Sequence, residues 1–528
     1  MPSDWACVDM FPNLSLPKCD RLQKAPFNRV RRCSKTSRSK NLRASEEETK
    51  KVGFATSPLP RYSIFGVASL CWLGAIICPS MAAGECGPAV AGVVTCNDTS
   101  NNPFADGITY ASPGIVAINL GSGIILDRTA GTANVGVQLQ TFTGAPAAIT
   151  LSNGVVVNTS GLYASGVVVQ SSGDMFITSA ADIAVAVPTS IVAPTGVGTY
   201  GLQAWASDSS GAANIGIVQQ ANSSINVSGM EGIGIYSLNN GAGSATISAS
   251  GSIGTAGFRG YGINAWNTLT TGGTTPISLT EQGTVVTDGE EAVGLYSLND
   301  GSGDASISLA GQIETLNYSS DAAIAYITNA SSAGNARISA SESASVTTKG
   351  DISNGLWALN FGLGEVSVAS GGTITTDGAS SNGIRANIYN SASAGQAAVS
   401  MLAGARIDSK GTEANGILVN NRGVGASSVS LQARTFVMTS GARAYGISIT
   451  GTGTASLRQE EASVISASGE QSFAANLTAA GYVDVNIAGV QRPVVFSVLA
   501  SRPSRLPPIP MCLSDRAGRF QAGGRSTS

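Results

Sequence analysis

Histidine is absent from all 528 residues. Without an imidazole, Ser/His/Asp and Cys/His catalysis and the usual zinc ligand sets are excluded. Only carboxylate, tyrosine or lysine chemistry remains open to the chain. Charge is also scarce: Asp, Glu, Lys and Arg make up 12% of residues, about half the usual share. Aromatics stand at 6%. No cysteine lies between Cys96 and Cys512, so the middle of the chain has no disulfide framework. What the chain does have is glycine, 65 residues of it, and 43% hydrophobic residues placed periodically, which sets it apart from disordered sequences.

The net charge of −3 hides a segregation. Residues 1–83 carry 13 Lys/Arg and 6 Asp/Glu, residues 84–490 carry 11 and 26, and residues 491–528 carry 6 and 1. The middle is therefore acidic, at −15, between two basic ends. An acidic surface repels phosphate backbones, so no nucleic-acid partner is expected.

Residues 1–60 form a basic, polar extension expected to be disordered. Arg61 opens a segment over 61–83 in which Ser63–Met81 is apolar and small residues Ala82, Ala83 and Gly84 follow. Charge, apolar stretch and small residues together make the pattern of a secretory signal peptide, with cleavage near Ala82 or Ala83. A membrane anchor is the competing reading, and the short run broken by Pro79 counts against it. The segment before it reads as an extended leader or as translated sequence upstream of the true start. Cys86 and Cys96 follow directly, and in an oxidising compartment they are expected to pair as a structural disulfide. A redox or metal pair is the weaker reading, because the spacing is not CxxC and other ligands are missing.

The dominant signal is a small residue followed by an aliphatic one, recurring at Gly201-Leu202, Gly234-Ile235, Gly262-Ile263, Gly294-Leu295, Ala323-Ile324, Gly355-Leu356, Gly383-Ile384, Gly416-Ile417 and Gly446-Ile447. The steps are 33, 28, 32, 29, 32, 28, 33 and 30 residues. Repeats of this size built from short strands make a coiled stack rather than a globular domain. Each repeat holds three period-2 runs separated by turn residues. The first starts at the small residue; the second includes Ala245–Ile247 and Ala305–Ile307; the third includes Ile225–Val227 and Val285–Thr287. One apolar face per run predicts an all-β, right-handed, three-faced parallel β-helix with disordered basic N- and C-terminal segments. The expected division is a cap with a small disulfide loop over 84–130, the β-helix over 131–490, and a Pro/Arg-rich tail over 491–528, either native or a product of a changed reading frame. The strand-start glycines are expected to permit sharp corners. Asn239, Asn267, Asn299, Asn360 and Asn420 fall near matching turns and suggest a hydrogen-bonded ladder.

Similar coils return at 60- and 61-residue intervals, from Gly234, Gly294 and Gly355. Alternation places Tyr236, Tyr296 and Trp357 on the outer side of the first run, with Trp205 and Trp266 two residues further along their own strands. Such a stripe could stack on sugars or anchor a protein partner; packing under a neighbouring loop or extending the strand ladders is the plainer account. Asn299–Asp304 resembles a calcium loop superficially, but its sister turn Asn239–Ser244 has no carboxylate, so a turn explains both. Glu290-Glu291 and Glu460-Glu461 could suggest an acid/base pair, yet neighbours on a strand point to opposite faces. No catalytic, cofactor or metal residue is assigned.

Apolar export segment, small cysteine loop, then a Gly/Ala/Ser/Thr/Asn-rich β-helix: over residues 61–490 the chain resembles the passenger region of bacterial autotransporters. The resemblance implies a non-catalytic surface protein with a structural or adhesive role, presented on the cell surface or secreted. Its implied partners are surface glycans or proteins of host or bacterium. Members carry a C-terminal outer-membrane barrel; no run of alternating ten-residue strands is recognised after residue 450, so a separate translocator is implied, or a periplasmic location without one. The alternatives are a β-helix lyase or glycosidase acting on polysaccharides, and a truncated, non-functional remnant.

Overall fold

The computed structural model describes residues 86–488, apart from 112–113, 130, 132, 142–143, 188–197 and 270–271, together with the strand backbone at 495–500, 511–512 and 519–522. The expected extension at 1–60 and the segment read as a signal peptide at 61–83 lie outside the described residues.

The described chain is all strand and turn, coiled into three sheets. The first sheet collects the Gly-aliphatic runs and has 15 strands; the second also has 15, and the third has 12. Successive coils pair in parallel, so each strand hydrogen-bonds to its counterpart one turn on. Twelve coils supply a strand to all three sheets.

Alternation dictates the interior. Ile235, Ile263, Leu295, Leu356 and Ile384 stack in the first sheet, Ile247, Ile277 and Ile307 in the second, and Ile225, Ile253, Val285 and Ile313 in the third. All are buried. Burial of each such side chain is worth roughly 1.5–3 kcal/mol. No coil can form this core alone, because its ladder partners belong to the coils on either side.

The glycine column serves close approach rather than cornering. A Cβ on Gly234 would sit 2.6 Å from the Gly262 carbonyl oxygen and against Ile253 of the third sheet. The corner itself is turned three residues earlier by residues other than glycine. Glu231, Arg259, Glu291, Ser319, Ile352, Ser380, Glu413, Arg443 and Gln471 all have φ between 54° and 58°. Each N–H in this column that meets a described partner donates to a carbonyl of the next coil, as Glu231 does to Phe258 at 2.8 Å and Ile352 to Ala379 at 2.8 Å. Regular pairing on both sides holds a conformation that L-residues adopt only at a cost.

Four expectations are corrected. Strands Val93–Cys96, Ile108–Ala111, Ala117–Leu120 and Ile125–Arg128 already pair into the three sheets, so the stack begins with the disulfide loop and not at residue 131. These strands are only four residues long, too short to carry an audible period. Beyond residue 490, Val495–Ala500 extends the first sheet in parallel, and Met511–Cys512 and Arg519–Ala522 add antiparallel strands to the last coil. The tail thus contributes strands where a disordered segment was expected. Ala323 pairs with Leu295 and Leu356, which puts Ala322 in the glycine column and turns Ile324 outward. Finally, Asn239, Asn267, Asn299 and Asn360 align with Asn421, not Asn420. They do not bond to one another. Each spans a turn: Asn299 Oδ1 accepts from the Gly301 N–H at 2.7 Å, and its Nδ2 donates to the Gly273 carbonyl of the preceding coil at 2.7 Å.

Candidate functional site

Cys86 and Cys96 are joined by a disulfide, with Cα atoms 4.9 Å apart. Cys96 ends a second-sheet strand and is buried, and the Tyr110 hydroxyl donates to the Gly87 carbonyl at 3.0 Å. The bond ties the opening loop to the first coil.

The outer face of the first sheet brings the sequence-predicted aromatics together. Register aligns Tyr236, Asn264, Tyr296, Ile324, Trp357 and Arg385 in one outward row. A second row runs Trp205, Leu238, Trp266, Leu298, Tyr326, Leu359 and Asn387. The five residues of the expected stripe therefore share a face, in two adjacent rows. They do not form an exposed stripe: Tyr236, Tyr296 and Trp357 are only 3–5% exposed, and Trp205 and Trp266 are half-buried. Period 2 told which way these side chains point but not whether anything lies above them.

The rows are built from ring contacts and charge. Tyr200 stacks on Tyr236 at 5.2 Å, and burial with Glu231 nearby pushes the Tyr200 phenol up to about 12. Burial, with Tyr200 beside it, holds the Tyr236 phenol well above its usual range. The Arg385 guanidinium lies 4.4 Å over the Trp357 ring, and its Nε donates to Asn387 Oδ1 at 2.9 Å, the same oxygen that accepts from Trp357 Nε1 at 3.1 Å. Phe361 stacks on Tyr389 at 5.0 Å, with Arg422 over Tyr389 at 4.7 Å. Trp266 Nε1 donates to Asp300 Oδ2 at 2.9 Å.

Where this sheet begins, a polar column went unnoticed in the sequence. Asn354 donates through its N–H and Nδ2 to Asp321 Oδ1, at 2.5 and 2.8 Å. Asn382 Nδ2 reaches Asn354 Oδ1 at 2.8 Å, and Asn415 Nδ2 reaches Asn382 Oδ1 at 2.9 Å. Asp321 heads this ladder, buried, and that burial raises its carboxyl to about 6 against the pull of Asn354 and Arg385. The readable signal was an Asn before the column glycine in Asn354-Gly355, Asn382-Gly383 and Asn415-Gly416.

The second sheet's outer face is a shallow groove of about 530 Å³, floored by Ser248, Ser278, Ser308, Ser339 and Ser400 with Arg337 as its one charged lining residue. The glutamate doublets stand elsewhere. Glu291 is paired with Arg259 at 2.8 Å and Glu460 with Arg458 at 3.4 Å, while Glu290 and Glu461 are exposed. Asp304 Oδ1 accepts from the Asn335 N–H and Nδ2, and Asp300 from Trp266 and Thr328, so the turn at 299–304 spends its carboxylates on the next and preceding coils. Among the described residues, no group of three or more Asp, Glu or Cys could hold a metal ion.

The fold and site define a β-solenoid with one aromatic outer face. No protein-family model, no curated protein and no solved structure matches this chain.

Proposed function

We propose that this chain is an exported, passenger-type protein whose β-solenoid serves a structural or adhesive role at or beyond the cell surface, without catalytic activity. The observation that carries the reading is an apolar segment with small residues at Ala82–Gly84, followed within two residues by a disulfide-closed loop that opens directly onto the solenoid. A disulfide favours an oxidising compartment, and the segment before it has the pattern of the signal that leads there. Uniform coils with Ser and Thr on their outer faces supply length and surface, which suits display or adhesion. On the aromatic face the half-buried Trp205 and Trp266 are the rings open to a glycan or protein partner.

The test is expression of the full chain in a bacterium with two membranes, followed by fractionation and N-terminal sequencing of the recovered protein. The reading expects a chain beginning at Ala83 or Gly84, outside the cytoplasm, with Cys86 and Cys96 protected from thiol reagents. A chain that stays in the cytoplasm with residues 61–83 intact would refute export. Turnover of polygalacturonate or a similar glycan, lost on substitution of one Asp or Glu, would refute the non-catalytic role.

A further inference from the structure

Five Asn-Gly pairs occur in the chain: Asn153-Gly154, Asn240-Gly241, Asn354-Gly355, Asn382-Gly383 and Asn415-Gly416. In this dipeptide an asparagine amide is open to attack by its own main chain, because glycine puts no side chain beside the attacking nitrogen and turns freely. The fold restrains four of the five. Gly355, Gly383 and Gly416 donate their N–H groups to carbonyls of the next coil at 2.9–3.0 Å. The asparagines before them are tied along the polar column, Asn354 to Asp321, Asn382 to Asn354 and Asn415 to Asn382. The Gly241 N–H donates to Asn239 Oδ1 at 2.8 Å, and Asn240 Oδ1 accepts from the Thr268 hydroxyl at 2.9 Å.

Asn153-Gly154 stands apart. The pair is the tip of the turn between Ala147–Leu151 and Val156–Ser160, and both residues are exposed. Gly154 sits at φ 82°. Two long bonds hold the turn: the Val155 N–H donates to the Ser152 carbonyl at 3.3 Å, and the Gly123 N–H of the preceding coil to the Gly154 carbonyl at 3.2 Å. Neither the Asn153 amide nor the Gly154 N–H has a hydrogen-bond partner among the described residues.

We propose that Asn153 is a site of spontaneous covalent modification, losing its side-chain amide through a cyclic imide closed by the Gly154 nitrogen. The Gly154 nitrogen bonds to Asn153 Cγ and gives up its proton. The Cγ–Nδ2 bond breaks, and Nδ2 leaves with that proton as ammonia. Water then adds to either carbonyl of the imide and opens the ring. One opening gives aspartate; the other gives isoaspartate, in which the main chain runs through the former side chain. Water is the only co-reactant, and no oxidant or reductant is needed. The attack needs a nitrogen free to leave its peptide plane and a carboxamide free to swing onto it. The turn at Asn153 grants both. The ladder pairs grant neither until neighbouring coils separate, which is a costly local opening in the middle of a stack. Both products place a new carboxylate at the corner between the second and third sheets of an already acidic stack. The isoaspartate form also adds a methylene to the main chain beside the Gly123–Gly154 bond. The solenoid thus carries a covalent mark of its age at one corner, whether or not the chain is exported.

The experiment ages the purified full chain in warm, mildly alkaline buffer and follows each Asn-Gly peptide by mass spectrometry, with fragmentation that separates aspartate from isoaspartate. The Asn153 peptide should convert first, to a mixture richer in isoaspartate, with Asn354, Asn382 and Asn415 more than an order of magnitude slower. The same incubation in denaturant should bring all five pairs to comparable rates. An Asn153 that keeps its amide while the folded chain ages would overturn the proposal. So would a ladder pair that converts as fast as Asn153, or a spread of rates that is the same with and without denaturant. A second arm uses Asn153→Gln, whose longer side chain closes the ring far more slowly and whose exposed site disturbs no packing. Isoelectric focusing should show an acidic form accumulating in the parent and a severalfold loss of that form in the variant; an undiminished acidic form assigns the reaction elsewhere and also overturns it.

Discussion

Replacing Asp321 by Asn should abolish a pH dependence that one buried carboxyl imposes on the solenoid. In the folded chain the Asp321 carboxyl titrates at about 6, against an ordinary 3.8, chiefly because burial disfavours its charge. Between those values the folded state holds a proton that the unfolded state has released, so stability falls as pH rises. The loss starts near the lower value and is complete above the higher one. A displacement of about two pKa units corresponds to roughly 3 kcal/mol. Asparagine keeps an Oδ1 that can accept from the Asn354 N–H and Nδ2, as Asn354 and Asn382 already do for the coils that follow. Its amide N–H groups add a cost of about 1–3 kcal/mol if they find no acceptor, but that cost does not vary with pH.

The measurement is therefore a difference of curves. Chemical denaturation of both proteins, followed by circular dichroism and by fluorescence, would be carried from pH 3.5 to pH 7.5. All shared carboxylates cancel in the comparison. The variant should gain on the parent by about 2.5–3 kcal/mol across that range, with the change centred between pH 4 and 6. A difference that stays flat, or a parent that gains on the variant as pH rises, would refute the assignment of Asp321 as a buried group that resists ionisation.

Ile352 is β-branched and held at φ 57°, so Ile352→Asn should stabilise the chain against denaturant by about 0.5–1 kcal/mol, net of lost apolar contact. Ile352→Val should bring no gain in the same assay. Gly294→Val places its Cβ 2.5 Å from the Ala322 carbonyl oxygen and should cost about 1–3 kcal/mol in the same denaturation assay. Cys86→Ser should cost about 2–3 kcal/mol locally, seen as faster proteolysis before residue 130 with cleavage in the later coils unchanged.

Much of the architecture was legible because a solenoid writes its register into the chain. The recurrence of Gly234-Ile235 as Gly262-Ile263 and Gly294-Leu295 sets the coil length, and alternation around Ile247 and Ile307 sets which face is buried. What failed did so for identifiable reasons. Ala323-Ile324 looked like another Gly-aliphatic pair, but only pairing partners reveal that Ala322 fills the glycine column. Asn420 and Asn421 are adjacent, and the turn-spanning role falls to the one that pairs with Ile388. The column glycines suggested cornering because glycine is the usual residue at positive φ. Here that conformation is carried by Glu, Arg, Ser, Ile and Gln three residues earlier, where neighbouring coils fix the backbone on both sides.

The candidate site was legible in direction and illegible in depth, and the contrast between the three faces says why the first one matters. A strand in this stack needs apolar residues only on its inward side. The outward rows of the second sheet meet the fold's requirements with Ser248, Ser278, Ser308 and Ser339, and those of the third with Thr347 and Thr375 beside ion pairs such as Lys349–Glu314. Nothing in coil stacking asks the matching positions of the first sheet to be Tyr236, Leu238, Tyr296, Leu298, Trp357 and Leu359. Exposed, such residues would form the kind of contiguous apolar patch that soluble proteins rarely present without an interaction to serve. Their confinement to one face, across consecutive coils, is then a requirement set by whatever covers that face and not by the solenoid. A Ser-substituted first face should then keep the β-sheet circular dichroism of the parent, since the Ser-lined second face stacks in the same register.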